Sequence, residues 1–157
     1  MSSNKVLEFM EKDHDRLDKI FEEFRKTKDT SMPKARTMFH DFKTGLQRHI
    51  VWEEEILFPI FEKETGMRDS GPTSVMRLEH RQIKGFLEEI HKKVVEGNAD
   101  GIDELEDGLL EVLKGHNYKE ENVLYPWIDK ETNEQERTKA FLKMKNLPPE
   151  KYNKCCE

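Results

Sequence analysis

The chain has 157 residues, 38% charged and 34% hydrophobic, with a formal net charge of −6. That length suits one domain with one continuous core, and an acidic balance with no basic stripe argues against nucleic acid as a partner. No apolar run approaches the roughly 18 residues of a membrane span, and Met1-Ser2-Ser3-Asn4-Lys5 leads straight into amphipathic sequence, so no membrane association and a cytoplasmic location are expected.

A first helix is expected over roughly residues 3 to 28. Leu7, Met10, Leu17, Phe21 and Phe24 fall three and four apart once His14 fills its place in the series, which puts His14 on the buried stripe. Pro33 can open a second helix. Its apolar face carries Met38, Phe42, Ile56 and Ile60, with His49 and Glu53 on the same stripe. Gly66 and Asp69-Ser70-Gly71-Pro72 break the chain. The third helix reads Met76, His80, Ile83, Leu87, Ile90, Val94 and ends at Gly97-Asn98. The fourth reads Ile102, Leu105, Leu109, Val112, His116, Glu120, Val123, Trp127. Pro59 and Pro126 should kink or terminate helices two and four. A short tail helix around Glu134 to Met144 should pack through Phe141 and Met144, and Pro148-Pro149 stops it. Short connections favour antiparallel neighbours, so an all-α, up-down-up-down four-helix bundle is predicted over residues 1–147, followed by a polar tail, 148–157. The tail holds the only cysteines, Cys155 and Cys156; a frayed terminus is the plain reading, a redox or metal-delivery role the alternative.

The two halves repeat. His49-Ile50-Val51-Trp52-Glu53-Glu54-Glu55-Ile56-Leu57-Phe58-Pro59 returns as His116-Asn117-Tyr118-Lys119-Glu120-Glu121-Asn122-Val123-Leu124-Tyr125-Pro126, with five of eleven positions identical. Asp13-His14 corresponds to Glu79-His80, and the offset is 66 residues for the lone His and 67 for the His-x-x-x-Glu pair. An i,i+4 pair projects from one side of a helix. Each half thus brings two imidazoles and one carboxylate to the core. Burying an ionised carboxylate costs several kcal/mol even after relaxation. Cations remove that cost by turning each Glu into an anionic ligand and each neutral imidazole into a donor. His14, His49, Glu53, His80, His116 and Glu120 are therefore the candidate metal ligands. Nitrogen and oxygen donors without thiolate point to iron, manganese or zinc, and ferritin-like centres, which use paired Glu-x-x-His motifs, fit less well.

These segments resemble the hemerythrin-like (HHE cation-binding) family, over residues 5 to about 130. The resemblance implies two iron ions with an oxo or hydroxo bridge. His14 and His49 would hold one iron and His80 and His116 the other, with Glu53 and Glu120 between them. Oxygen-carrying members place a second His one turn after the third-helix ligand, where this chain has Lys84, and an Asp five residues after the fourth-helix His, where it has Glu121. The missing imidazole implies an additional open position on the second iron. The resemblance implies a non-haem diiron protein that binds oxygen, nitric oxide or peroxide in sensing or stress response. The alternatives are an enzyme reducing peroxide or nitric oxide with an electron donor, or supplying iron for cluster repair, and a passive iron-binding module. Among the other polar residues, His40 is expected at the surface and His91 near a helix end. Asp18 is either a partner of the site or a surface charge, and Lys84 either faces solvent or stands near the site. Glu54, Glu55 and Glu121 are expected on solvated faces, and Trp52 and Tyr118 packed around helices two and four.

Overall fold

The computed structural model describes residues 4–153, and all regular structure in them is helical. α1 spans Val6–Thr27 and α2 Met32–Val51. α2 continues through a π-helical segment, Trp52–Leu57, into α3, Phe58–Thr65. α4 is Pro72–Glu96 and α5 Ile102–Lys119, which runs through a second π segment, Glu120–Leu124, into α6, Tyr125–Glu131. α7, Glu134–Lys145, and a 3₁₀ turn, Pro149–Lys151, complete the described chain. α1 packs on α2 and α4 on α5; α2 meets α4, and α1 meets α6. None of these helices is long and apolar enough to cross a membrane.

The ends follow local chemistry. Ser31 caps α2 by accepting from the Lys34 amide, with Pro33 in the first turn. Gly66 and Gly97 close α3 and α4 in the left-handed region, at φ 74° and 70°. Asn133 and Glu136 form a reciprocal capping box on α7.

Pro59 and Pro126 do not end their helices. A proline lacks the N–H for an i→i−4 bond and crowds the carbonyl there. The helix widens just before each proline instead: Phe58 N–H bonds to Glu53 O, and Tyr125 N–H to Glu120 O, five residues back. Each widened turn inserts one residue into the stripe. The expected face through Val123 and Trp127 is corrected accordingly: Val123 is 50% exposed, and Leu124, Tyr125 and Ile128 are buried in its place. In the first half Leu57 and Phe61 take the inward positions that a regular helix would give to Ile56 and Ile60 alone, although Ile56 also stays buried.

Two apolar clusters result. One contains Leu17, Phe21, Ile50, Ile83 and Leu113. The other contains Met10, Trp52, Leu57, Met76, Leu124 and Tyr125. His14 lies between Met10 and Leu17, His80 between Met76 and Ile83, and His116 and Glu120 between Leu113 and Leu124. The polar residues therefore occupy a layer between two dry ones. α7 covers the second cluster: Met144 is buried, the Phe9 and Phe141 rings are 5.0 Å apart, and Trp52 Nε1 donates to Met144 O at 3.1 Å. Cys155 and Cys156 lie outside the described residues.

Candidate metal centre

All six sequence-selected residues converge, and each is at most 4% exposed. α1 supplies His14, α2 His49, α4 His80 and α5 His116, while the two π segments supply Glu53 and Glu120. Ligand atoms of Glu53, His80, His116 and Glu120 all lie within 4.8 Å of one another, as do those of His14, His49 and Glu120. The imidazoles pair as the two helical hairpins place them: the His14 and His49 rings are 4.7 Å apart, and the His80 and His116 rings 4.9 Å.

Both carboxylates span the two pairs. Glu120 Oε1 is 3.2 Å from His14 Nε2 and 3.3 Å from His116 Nε2. Glu53 reaches His80 Nε2 at 3.1 Å through Oε1 and His49 Nε2 at 3.8 Å through Oε2. The π turns that place these two glutamates are a common local distortion at functional sites.

A second ring of carboxylates lies behind the imidazoles. His14 Nδ1 meets Glu121 at 2.6 Å, His49 Nδ1 meets Asp13 at 2.8 Å, His80 Nδ1 meets Glu54 at 2.6 Å and His116 Nδ1 meets Glu79 at 2.9 Å. A carboxylate at Nδ1 fixes that nitrogen as the donor and turns the Nε2 lone pair inward. Glu54 and Glu121 are thus corrected: they are partly buried partners of histidines, not members of a solvated face. The residue after an inward Glu is rotated about 100° around the helix, and there the outward nitrogen of the neighbouring helix's imidazole meets it. Asp13 and Glu79 carry the same role from the position before His14 and His80. The acidic doublets and the acidic-His pairs of the repeat were the available signal. Glu55 does lie at the surface, paired with Lys151 at 3.5 Å. Asp18, Lys84 and His40 are exposed, and His91 packs toward Phe39, away from the cluster. Trp52 is buried as expected, whereas Tyr118 is 68% exposed because it sits on the outward side of α5.

Sequence reasoning missed Tyr125. Its hydroxyl donates to Glu53 Oε2 at 2.6 Å and lies 3.1 Å from His49 Nε2 and 3.4 Å from His14 Nε2. The repeat places Tyr125 opposite Phe58, which stacks on His80 with ring centroids 5.9 Å apart and planes 6° apart. This change from ring to ring-plus-hydroxyl was the visible sign.

The electrostatics call for a cation. Burial alone would lower the His14 and His80 pKa values, but hydrogen bonds and charge from Glu120 and Glu121, and from Glu53 and Glu54, raise each to about 9. Burial and the charge of Glu120 push Glu53 up, and burial with the nearby glutamates pushes Tyr125 well up. Burial also opposes ionisation of Glu120, but His116, Glu53 and His14 hold its carboxyl low. Both oxygens of Glu120 are buried, with His14 and His116 Nε2 against Oε1 at 3.2 and 3.3 Å. With every Nδ1 directed outward, four Nε2 atoms and two carboxylates face the interior beside the Tyr125 hydroxyl, and a metal ion there would take the place of the protons on the imidazoles. That donor set fits divalent metal ions.

Residues 5–128 match the hemerythrin HHE cation binding domain. The chain is also similar to the iron-sulfur cluster repair protein YtfE of Escherichia coli O1:K1 / APEC, at 35% identity over 109 residues. The corresponding proteins of Escherichia fergusonii and Salmonella schwarzengrund are 35% and 34% identical over 109 and 108 residues. Each match covers 60% of this chain and 46% of the relative, so the chain spans a little under half the length of these curated relatives. No solved structure matches it. With its residues matched from 5 to 128, the chain belongs to the hemerythrin HHE cation-binding domain family.

Proposed function

We propose that this protein is a non-haem diiron protein of stress response whose centre binds oxygen, nitric oxide or peroxide. In this reading residues 1–147 form an up-down-up-down four-helix bundle and residues 148–157 a tail. His14 and His49 hold one iron, His80 and His116 the other, and Glu53 and Glu120 join them. The observation that carries it is the complete set of outer carboxylates. Each of four inward imidazoles has its own acidic partner at Nδ1, between 2.6 and 2.9 Å, the arrangement that orients histidines toward a metal. When bound, the irons supply the redox and Lewis-acid chemistry. The chain's own residues turn the four Nε2 atoms inward, exclude water with Phe58 and the two apolar clusters, and place the Tyr125 hydroxyl as a hydrogen-bond donor inside the centre.

A second reading, iron supply for cluster repair, is favoured by the similarity to the iron-sulfur cluster repair proteins. A reductive activity on peroxide or nitric oxide would also require electrons from a partner.

Anaerobic reconstitution with Fe(II), followed by metal analysis and absorption spectra on adding oxygen, hydrogen peroxide and nitric oxide in turn, tests these readings. About two irons per chain and a spectral response to at least one ligand are expected. One iron per chain, or native protein containing zinc alone, overturns the diiron assignment; two irons with no response to any of the three ligands overturns small-ligand binding.

A further inference from the structure

Two guanidinium groups meet on one side of the α1–α2 pair, and they are not equally satisfied. Arg16 donates to Asp13 Oδ1 through Nε and Nη2, at 3.0 and 2.9 Å. Arg48 Nη2 stays 3.9 Å from the same oxygen, beyond hydrogen-bond reach. Arg48 Nε is buried, and among the described residues it has no acceptor. Asp13 cannot turn to serve it, because its other oxygen holds His49 Nδ1 at 2.8 Å. The Arg48 guanidinium lies over the Trp52 ring at 4.7 Å and near the Tyr152 ring at 6.0 Å. Stacking of this kind uses the face of the group and leaves its N–H edge to find a partner elsewhere.

Both arginines line a cavity of about 290 Å³ between α1, α2 and Tyr152. His40, Thr44 and Arg48 stand four residues apart on one side of α2, so they border it together, and Arg16 closes it from α1. One carboxylate, the exposed Asp41, also lines it. Gly45 makes room for this arrangement. A Cβ there would lie 2.7 Å from Leu17 Cδ2 and 3.2 Å from Arg16 Nη2, so the bare backbone is what lets the Arg16 guanidinium lie against α2.

We propose that this cavity is an oxyanion site, which takes phosphate, or the phosphate group of a small monoester, between Arg16 and Arg48. It is separate from the metal centre and does not depend on the reading of that centre. Guanidinium N–H groups form planar forks that match phosphate oxygens. A planar carboxylate satisfies one such fork, whereas a tetrahedral oxyanion presents oxygens to forks on two helices and to the Thr44 hydroxyl. Asp41 opposes an anion, but it is exposed and its charge is screened by water and salt. Arg16 also holds Asp13, and Asp13 holds His49, so the anion sits a short chain of contacts away from the candidate centre. No bond is made or broken; association is by charge-assisted hydrogen bonds alone.

The test is calorimetric titration of the full chain with inorganic phosphate at fixed ionic strength, in metal-loaded and metal-free form. The Arg48 Nε–H resonance of the metal-free chain locates the anion. Saturable single-site binding in both forms and a shift of that resonance are expected. Arg48→Gln and Arg16→Gln should each weaken binding roughly tenfold, the scale of a hydrogen bond to a charged group. Thr44→Glu keeps both arginines but puts a carboxylate in the cavity, and should abolish binding. Asp41→Asn should tighten it, and Lys130→Gln, an exposed change on α6, should leave it as in wild type. Glycerol phosphate distinguishes the two sources of the group. Tighter binding of the ester than of phosphate assigns the rest of the cavity to an organic substituent, and equal or weaker binding assigns the site to free phosphate. Binding by the metal-loaded form alone would place phosphate on the metal, and an affinity unmoved by both Arg48→Gln and Thr44→Glu would make it a diffuse surface effect. Either result, or no saturable binding, overturns the proposal.

Discussion

The Tyr125 hydroxyl donates to Glu53 Oε2 at 2.6 Å, while Phe58, its counterpart in the other half, offers His80 only the face of a ring. The twofold repeat is thus broken at its centre: one pair of imidazoles has a hydroxyl beside it and the other does not. In the metal-free protein this hydroxyl is a donor to a carboxylate that is fully buried. Tyr125→Phe keeps the ring and its packing but leaves Glu53 Oε2 without its donor. Leaving such a group unsatisfied costs about 1–3 kcal/mol. Denaturant unfolding of the metal-free variant should show a loss of that size, and equal stability of variant and wild type would show that the contact is not made.

The outer carboxylates should matter to metal binding far more than their exposure suggests. Asp13→Asn and Glu79→Gln preserve shape and an acceptor but weaken the hold on His49 and His116. Removing such partners typically lowers metal affinity about 10- to 100-fold. Competition titration against a chelator should give losses in that range for both variants, and none for Glu55→Gln, whose side chain pairs with Lys151 at the surface. Equal affinities in all three would mean that the ring of carboxylates does not orient the ligands.

Much of the centre was legible because burying His and Glu on an apolar stripe leaves a periodic mark. His14, His49, Glu53, His80, His116 and Glu120 each took a place where the spacing required a core residue. The outer carboxylates left no such mark. Glu54 and Glu121 look like surface residues along their own helices, and they meet imidazoles only across a helix-helix contact. The π segments were hidden for a related reason. Pro59 and Pro126 state that the i→i−4 ladder must fail, but not whether the helix stops or widens, and the widening is what moves Val123 outward and Leu124 inward. Tyr125 aligns with Phe58 in the repeat, and only the assembled core reveals what its hydroxyl meets.

Lys84 stands where an additional imidazole would follow His80 by one turn, and its position on α4 bears on whether a ligand could be added there. Four residues advance a helix by about 40° beyond a full turn, and the buried stripe His80-Ile83-Leu87 leaves Lys84 exposed. Lys84→His should therefore place its ring toward solvent. Iron content and the spectral response to peroxide should equal those of wild type. Higher iron retention in the variant would show that α4 can turn this position inward.

The last expectation concerns pH. In the metal-free protein the His14 and His80 pKa values are raised to about 9 from an ordinary 6.5. A group that binds its proton more tightly when folded stabilises the fold fully below its unfolded pKa, and that contribution is lost as pH rises through the folded value. The metal-free protein should therefore lose stability between about pH 6.5 and pH 9. Bound metal replaces those protons and must compete with them, so it binds more tightly as pH rises. Acidification through the same window should release metal, and alkalinisation should widen the stability difference between loaded and metal-free protein. Thermal melting of both forms from pH 6 to pH 9.5, at fixed metal and ionic strength, reads the two trends together. A metal-free melting temperature that stays level or rises across the window would show that these imidazoles do not carry the protons in the folded state.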